Sequence, residues 1–284
     1  MLPDDKTEID TFGPSGGSID ISIILPCYRA AELAIQSAQR LSAALARSQY
    51  RVEILVVDDG GKDIAPIWPW AAEHAQIRLI QLHSNKGKGG AVRAGMLAAK
   101  GDVLIFTDVD LPYELDLFEA VAQLVLKRGF HGVIGDRTLS GSSYALELTW
   151  KRRLASAVFS IIVGRLVTGG FFDTQCGLKG FRADVAQELF RLGRIDRFAF
   201  DVELIYLCLI HKLDIKRIPV RLQCNETSSM RLFTDSLCMF CDLLSIKVHS
   251  MAGTYHSSYL YNLVSNEFKK LRRTAVESKQ LAQR

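Results

Sequence analysis

The stretch that decides the fold is GDVLIFTDVDLP, residues 101–112, in which a short apolar run ends in two aspartates. The apolar residues 103–106 are typical of a strand inside a parallel sheet, and Pro112 prevents the strand from continuing. Side chains alternate along an extended backbone, so Asp108 and Asp110 are expected to point the same way. Two neighbouring carboxylates repel each other unless a cation or water lies between them. A divalent cation that also contacts phosphate groups fits this pattern, and a solvated aspartate turn is the alternative.

The rest of the chain alternates between strand and helix patterns. Strands are predicted at residues 21–25, 52–57, 77–82, 103–106, 133–135 and 215–222. Helices are predicted at residues 32–47, 66–75, 91–100, 202–211, 234–252 and 255–281. Strands that alternate with helices in the first half indicate an open parallel sheet with right-handed crossovers. The sequence therefore predicts an α/β fold with a mostly parallel central sheet flanked by helices, followed by C-terminal amphipathic helices.

A polar cluster follows each of the first four predicted strands. These clusters are residues 26–29, 58–61, 85–90 and 108–110. Open α/β sheets bind ligands beyond the carboxyl ends of their strands, so the four clusters are expected to share one site. The glycine-rich cluster matches neither the dinucleotide fingerprint nor the P-loop. We expect Lys86, Lys88 and the backbone N–H groups before residue 91 to face an anionic ligand, with a flexible connector as the alternative.

Length, charge and cysteine usage limit the class of protein. A chain of 284 residues with 48% hydrophobic content can bury one large core, or one core with an appendage. The net charge is only +4, but residues 247–284 hold seven basic and two acidic residues. This distribution predicts contact with an anionic surface rather than with nucleic acid. The six cysteines lack the spacing of a disulfide framework or a zinc site, which predicts reduced thiols in the cytoplasm.

Membrane contact is predicted to be peripheral, on the cytoplasmic face. The acidic N-terminus is unlike a signal peptide, and Arg165 and glycines interrupt the most apolar window, residues 154–172. The basic cluster at 151–153 precedes an apolar segment, and the C-terminal helix carries basic residues beside its apolar face. Solvation of a helix start is the alternative for the cluster, and docking on the main domain is the alternative for the helix. The predicted domains are a disordered tail at 1–18, a main domain at 19–232 and a helical extension at 233–284.

Seven motifs together resemble those of the family 2 glycosyltransferases with the GT-A fold. They are LPCY at 25–28, VDDG at 57–60, NKGKGGAVR at 85–93, TDVD at 107–110, GDR at 135–137, DTQCG at 173–177 and FAFDVE at 198–203. The last three are similar to the branch that makes polyprenyl-phosphate sugars. Within that branch the dolichyl-phosphate β-glucosyltransferases are the most similar, and the mannosyl synthases come next. The strength of the resemblance lies in many motifs occurring in the right order.

The resemblance implies an inverting enzyme that moves a hexose from a nucleotide sugar to the phosphate of a polyprenyl or dolichyl phosphate. Glucose from UDP-glucose is favoured; mannose from GDP-mannose, or a different acceptor, is the alternative. Mg²⁺ or Mn²⁺ would bind Asp108 and Asp110. The implied nucleotide-sugar residues are Pro26, Tyr28, Asp58, Asp59, Lys86, Gly87, Lys88, Asp108 and Gln175. The implied acceptor-phosphate residues are Arg137, Arg152, Arg153 and Arg231. The implied catalytic residues are Asp110, Asp201 and Arg137, with Asp201 acting as a base or as a sugar ligand and helix capping as its alternative role.

One departure from the family pattern leaves the nucleotide open. Relatives usually carry Asn-Glu after the tyrosine, whereas this chain has Arg29 and Ala30, and Glu32 is the candidate substitute. A nucleotidyltransferase would usually show a glycine- and arginine-rich loop near the first strand, which this sequence lacks. A non-catalytic lipid or nucleotide binder is the other rival, and the intact aspartates at the site argue against it. A homo-oligomer and a membrane-protein partner both stay open.

Overall fold

The computed structural model describes residues 18–61, 63, 67–142, 173–222 and 232–281. Several predicted features lie outside these residues. They are the N-terminal tail at 1–17, the basic cluster at 151–153 with Arg152 and Arg153, the apolar window at 154–172, and Arg231.

Seven strands and eight helices make up the described part of the chain. The strands are β1 (Ile19–Cys27), β2 (Val52–Asp58), β3 (Ile77–Gln81), β4 (Gly101–Phe106), β5 (Gly132–Asp136), β6 (Lys179–Arg182) and β7 (Ile215–Pro219). The helices are α1 (Ala31–Leu45), α2 (Ile67–Ala72), α3 (Lys88–Ala98), α4 (Asp116–Leu126), α5 (Ala183–Leu192), α6 (Phe200–Ile210), α7 (Leu232–Met251) and α8 (Ser258–Leu281).

The strands form one sheet in the order β3-β2-β1-β4-β6-β5-β7. Only β6 runs against its neighbours, because it pairs antiparallel with both β4 and β5. The other pairs are parallel. The predicted mostly parallel sheet is therefore confirmed. Since six strands run in one direction, their carboxyl ends meet at a single edge of the sheet.

A hydrophobic core lies on each face of the sheet. Neighbouring β4 residues serve opposite cores, because Leu104 packs against α3, α5 and α6, whereas Val103 packs against α1 and α4. This explains why the central strands are continuously apolar rather than alternating. With helices covering both faces, the carboxyl edge is where polar loops can gather.

Three elements were not predicted from the sequence. The strand β6 has only four residues and includes Lys179 and Gly180, so it lacks an apolar strand pattern. The helix α4 did carry a signal, since Phe118, Val121 and Val125 recur at helical spacing. The helix α5 carries a similar one. The helix α3 starts at Lys88, three residues before the predicted start.

The C-terminal helices pack on the α3, α5 and α6 side of the sheet. Leu260 of α8 is fully buried in that core, and Leu263 packs against it, whereas Phe268 is 62% exposed. Glu267 accepts a hydrogen bond of 3.1 Å from Arg182 and lies 2.8 Å from the His131 ring. The first part of α8 is thus docked on the domain. None of the helices in the described residues has the length and apolar character needed to span a membrane.

Candidate active site

A cleft of about 640 Å³ opens at the carboxyl edge of the sheet. Ten of the predicted site residues line it: Pro26, Tyr28, Asp59, Gly87, Lys88, Asp108, Asp110, Arg137, Gln175 and Asp201. Residues that were not predicted also line it, among them Cys27, Leu33, Tyr113 and Phe198. The predicted residues Asp58 and Lys86 do not line the cleft. The polar clusters after β1, β2, β3 and β4 therefore do converge on one site.

The two aspartates after β4 lie in different electrostatic environments. Burial acts to raise the pKa of Asp108, but the ion pair with the Lys88 ammonium, together with the charges of Lys179 and Arg137, outweighs burial and lowers it. Burial raises the pKa of Asp110, and the charge of Asp108 raises it further. The buried Oδ1 atom of Asp110 has no hydrogen-bond partner in the described part of the chain. A buried carboxylate oxygen without a partner is costly, so it is a candidate ligand for a cation.

The turn that carries this pair is tight. The Leu111 N–H donates a 3.0 Å hydrogen bond to the Asp108 carbonyl, and Leu111 has a φ of 47°. A bulky non-glycine residue with positive φ is uncommon and costs free energy. Leu111 is only 1% exposed, so packing in the core holds this conformation. The backbone is thus bent sharply where the two carboxylates reach the cleft.

Asp108 leaves no room for a side chain at position 177. A Cβ atom on Gly177 would lie 2.0 Å from Asp108 Oδ2. The Gly177 N–H donates to the Tyr113 hydroxyl at 2.9 Å, which fixes the 173–177 loop behind the carboxylate. Glycine at this position is therefore required by the close approach of Asp108 to the loop backbone.

Asp59 holds the glycine-rich loop that leads into α3. Its carboxylate accepts hydrogen bonds from the backbone N–H groups of Lys86, at 2.7 Å, and Gly87, at 2.8 Å. Gly87 has a φ of 95°, a conformation that glycine adopts without strain. Burial raises the pKa of Asp59, and these hydrogen bonds act against that rise. The loop is thereby fixed with Lys88, the first residue of α3, facing the cleft.

Asp58 lies behind the cleft wall. Its Oδ1 atom accepts a 3.0 Å hydrogen bond from the Gly61 N–H, and the residue is 2% exposed. Burial raises the pKa of Asp58 to about 6. The sequence could not separate the roles of the two adjacent aspartates, since either could have faced the ligand. Asp59 is the one that lines the cleft.

The mouth of the cleft on the β1 side is partly aromatic. Tyr28 is 42% exposed, and the Arg29 guanidinium carbon lies 5.1 Å from the centroid of its ring. Arg29 has a φ of 52°, so the departure from the family pattern coincides with a strained backbone position. Glu32 does not line the cleft. An exposed tyrosine ring at a cleft mouth can stack against a planar base.

Arg137 directly follows β5 and lines the cleft. It forms a fork with Asp173, with bonds of 2.8 Å from Nη2 to Oδ1 and 3.0 Å from Nε to Oδ2. Burial acts to lower the pKa of Arg137, but the Asp173 partner outweighs it and keeps the guanidinium charged. The fork uses two of the three guanidinium nitrogens. The third nitrogen, Nη1, can serve an anion in the cleft.

Asp201 is the first charged residue of α6, and sequence reasoning missed its partner. Lys179 of β6 donates from its Nζ to Asp201 Oδ1 and to the Cys176 carbonyl, the latter at 2.7 Å. Lys179 is fully buried, and Asp201 is 4% exposed. Burial raises the pKa of Asp201, opposed by Lys179 and then Lys88. Lys179 stands out in the sequence as a single charge in a short, otherwise uncharged stretch. Its partner Asp201 lies 22 residues away, so the sequence does not indicate the pair.

Within the described ranges, no group of three or more histidine, cysteine or acidic side chains could hold a metal ion by itself. Asp108 and Asp110 are therefore the two side chains that the described residues offer to a cation here. This fits a hard divalent cation that is bound by one or two carboxylates together with substrate phosphates and water.

Comparisons with known proteins place the chain in a family. The profile of the family described as glycosyl transferase family 2 matches residues 22–190. A dolichyl-phosphate beta-glucosyltransferase of Drosophila melanogaster is 31% identical over 252 residues, covering 84% of this chain and 77% of that protein. A protein of the same name from Dictyostelium discoideum is 29% identical over 269 residues, covering 89% of this chain and 80% of that protein.

The fold also matches solved structures. Glucosyl-3-phosphoglycerate synthase from Mycobacterium tuberculosis, crystallised with Mn²⁺, uridine diphosphate and glucosyl-3-phosphoglycerate, superposes with a TM-score of 0.58. It is 17% identical, and the match covers 83% of this chain and 80% of that one. At this identity the likeness concerns the fold alone, and it confirms the predicted GT-A architecture.

Proposed function

Because this chain belongs to glycosyl transferase family 2, we propose that it transfers glucose from UDP-glucose to the phosphate of dolichyl phosphate or another polyprenyl phosphate. The observation that carries the proposal is one cleft that holds the Asp108 and Asp110 pair, Lys88 and Arg137. Such a cleft offers cation ligands and two separate positive charges, which suits a reaction between a nucleotide diphosphate and a phosphate monoester. The names of the relatives from Drosophila melanogaster and Dictyostelium discoideum support the choice of sugar and acceptor.

The nucleotide sugar enters on the β1 and β2 side of the cleft. Tyr28 and Pro26 provide the wall for the base, and the Asp59-held loop presents Lys88 and backbone N–H groups at the start of α3. The amino end of a helix favours anions, and a nearby ammonium adds to that preference. The donor diphosphate would therefore lie between the start of α3 and the aspartate pair.

A divalent cation, Mg²⁺ or Mn²⁺, fits Asp108 and Asp110, since Asp110 has a buried oxygen without a partner among the described residues. When bound, the cation would offset the negative charge that develops on the departing nucleoside diphosphate. Lys88 already pairs with Asp108, so this lysine can share its charge between the carboxylate and the diphosphate. The chain thus contributes both the ligands of the cation and a fixed charge beside it.

The acceptor phosphate enters on the β5 side. A phosphate monoester is anionic near neutral pH, so its oxygen needs positioning more than it needs a base. Arg137, held by Asp173, would orient that oxygen towards the anomeric carbon. The oxygen forms a bond to this carbon as the bond from the carbon to the UDP oxygen breaks, and UDP leaves with the electron pair. A single displacement of this kind inverts the anomeric configuration. Asp201 would accept a hydrogen bond from the transferred sugar.

The remaining parts of the proposal concern residues at the membrane side. Arg152, Arg153 and Arg231 are proposed to help bind the acceptor phosphate. We also propose that residues 19–232 form the catalytic domain, and that residues 233–284 extend it and contribute to peripheral association with the cytoplasmic face of a membrane. The basic excess of residues 247–284 supports such an association.

The test is transfer of radiolabel to lipid. Purified protein would be mixed in detergent with polyprenyl phosphate, Mn²⁺ or Mg²⁺, and either labelled UDP-glucose or labelled GDP-mannose. The proposal expects lipid-extractable label from UDP-glucose that EDTA abolishes. Label from GDP-mannose alone would contradict the donor, and no lipid-extractable label from either would contradict the acceptor.

Asp110 provides the matched test of the cation site. Asp110→Ala should abolish turnover while the protein remains folded, because the cation loses one of two protein ligands. Asp102→Ala is the control, since Asp102 is an exposed aspartate of β4 and lies at the end of that strand opposite to the aspartate pair. Full activity of the Asp110→Ala variant in the presence of EDTA would remove the cation from the proposal.

A further inference from the structure

Lys179 occupies a place where a charge is expensive. It is fully buried in β6, and its register partner in β4 is Phe106, whose ring centroid lies 5.4 Å from the lysine Nζ. Lysine is almost never fully buried unless it is paired. A buried ion pair is weak evidence for stability, because apolar residues of similar volume often stabilise a core as well or better. What points to a role beyond stability is the position of this pair, because its acidic member, Asp201, lines the cleft.

Lys179 forms a hydrogen bond with one residue that lines the cleft. Its Nζ donates to Asp201 Oδ1 and to the Cys176 carbonyl, and these are its hydrogen bonds within the described part of the chain. Asp201 lines the cleft, whereas Lys179 does not. Of its two hydrogen-bond acceptors, Asp201 is the one that lines the cleft, so the direct contact of Lys179 with the cleft lining is through that carboxylate. Its contact uses one carboxylate oxygen, so the other oxygen is available to a ligand.

The charges around Asp201 come from three elements. Lys179 lies on β6, Lys88 begins α3, and Asp108 follows β4. Lys88 is already engaged by Asp108 in an ion pair. Lys179 is therefore the cation hydrogen-bonded to Asp201; it orients that carboxylate and favours its ionised form.

We propose that Lys179 is a positioning residue that holds Asp201 as an ionised acceptor for a hydroxyl group of the transferred sugar. This inference rests on the proposed function, since it assumes that a nucleotide sugar occupies the cleft. Lys179 determines how strongly the cleft prefers UDP-glucose over UDP, without touching either molecule. A hydroxyl group bound by a charged carboxylate contributes more to affinity than one bound by a neutral acceptor.

The experiment measures binding of UDP and of UDP-glucose separately by calorimetry with Mn²⁺ and no lipid. The variants are Lys179→Met, Asp201→Asn and the double variant. Each single variant is expected to reduce the preference for UDP-glucose over UDP by about tenfold, while the affinity for UDP stays within about twofold. The double variant should lose no more preference than either single variant, because both act through one interaction.

Arg78→Met is the matched control. Arg78 and Glu53 form another buried ion pair, at 2.8 Å, with the two side chains 3% and 1% exposed. Both residues lie near the amino ends of their strands, away from the cleft. Arg78→Met should lower the thermal stability and leave the preference for UDP-glucose unchanged.

A Lys179→Met variant that keeps the full preference for UDP-glucose would overturn the inference, as would an Asp201→Asn variant that keeps it. If Lys179→Met does not fold, Lys179→Gln replaces it, since glutamine still donates a hydrogen bond but carries no charge. Lys179→Gln with unchanged preference would equally overturn the inference. Failure of the proposed function is seen separately, as wild-type protein that binds UDP-glucose but transfers no sugar to lipid.

Discussion

Substituting Gly177 by alanine tests whether the position of Asp108 sets the rate. The new Cβ atom would lie 2.0 Å from Asp108 Oδ2, whereas ordinary van der Waals contact begins at 3.4 Å. The carboxylate must therefore move by the difference, 1.4 Å, or the 173–177 loop must move instead. The loop is held by the Gly177 bond to the Tyr113 hydroxyl, a residue that is 2% exposed, so most of the movement should fall on Asp108.

A misplacement of about 1 Å in a site of this kind costs on the order of 100-fold in rate. We therefore expect Gly177→Ala to reduce kcat about 100-fold, or about 2.7 kcal/mol in activation free energy. The free energy of unfolding should fall by about 1–3 kcal/mol, as for other overpacked sites. Steady-state transfer assays with saturating Mn²⁺ give the rate, and urea denaturation gives the stability.

Gly193→Ala is the control, because it adds the same methyl group at a glycine with no severe clash. Its Cβ atom would meet Glu203 Oε2 at 3.3 Å and Arg93 Nη2 at 3.4 Å, which a slight shift accommodates. This variant should keep kcat within about twofold. Wild-type kcat in a folded Gly177→Ala protein would refute the reasoning, because Asp108 would then have moved without consequence.

Three further predictions follow from burial and charge. The pKa of Asp58 is about 6 in the folded protein and 3.8 for the free side chain. The folded state therefore favours the protonated carboxyl, and the stability that this group contributes below about pH 4 is lost as the pH rises through 6. In urea denaturation, the free energy of unfolding of the wild type should fall by on the order of 3 kcal/mol relative to that of Asp58→Asn between about pH 4 and pH 7. If the unfolding free energies of the two proteins change in parallel with pH, the raised pKa of Asp58 is contradicted. Leu260→Ala should lower the free energy of unfolding by about 2–5 kcal/mol, because Leu260 is fully buried. Phe268→Ser, at a position that is 62% exposed, should lower it less and should weaken binding to anionic vesicles. Equal losses from the two substitutions would contradict the docking of α8. Arg137→Lys should raise the KM for polyprenyl phosphate about tenfold, because lysine cannot form the fork with Asp173, while UDP affinity stays constant; an unchanged KM would contradict the acceptor role.

The sequence allowed the sheet and the location of the cleft to be predicted because both follow from short-range patterns. The apolar runs at 21–25, 52–57 and 103–106 mark central strands, and each is followed directly by polar residues that end at the same edge. The helical spacing of apolar residues also indicates α4. The central strands and the polar residues after them depend on residues that are close together in the chain, so the sequence shows them directly.

Features that depend on distant contacts could not be predicted in the same way. The strand β6 pairs with both β4 and β5, and these pairings rather than the pattern of its own four residues account for it. Likewise, the sequence offers no means of deciding that Asp59 lines the cleft while Asp58 lies behind it. The pairing of Lys179 with Asp201 depends on how β6 and α6 pack, so it becomes visible only in three dimensions.

Glu203 joins the C-terminal segment to the helix that carries Asp201. Its Oε1 atom accepts bonds from the Arg194 N–H, at 2.8 Å, and from the Tyr255 hydroxyl, at 2.5 Å, and the residue is 2% exposed. Deleting the chain after α7 would strip this carboxylate of its phenol partner and uncover the core beneath it. A truncated variant made to improve solubility should therefore retain Tyr255 and Leu260. Truncation before these residues is expected to reduce activity.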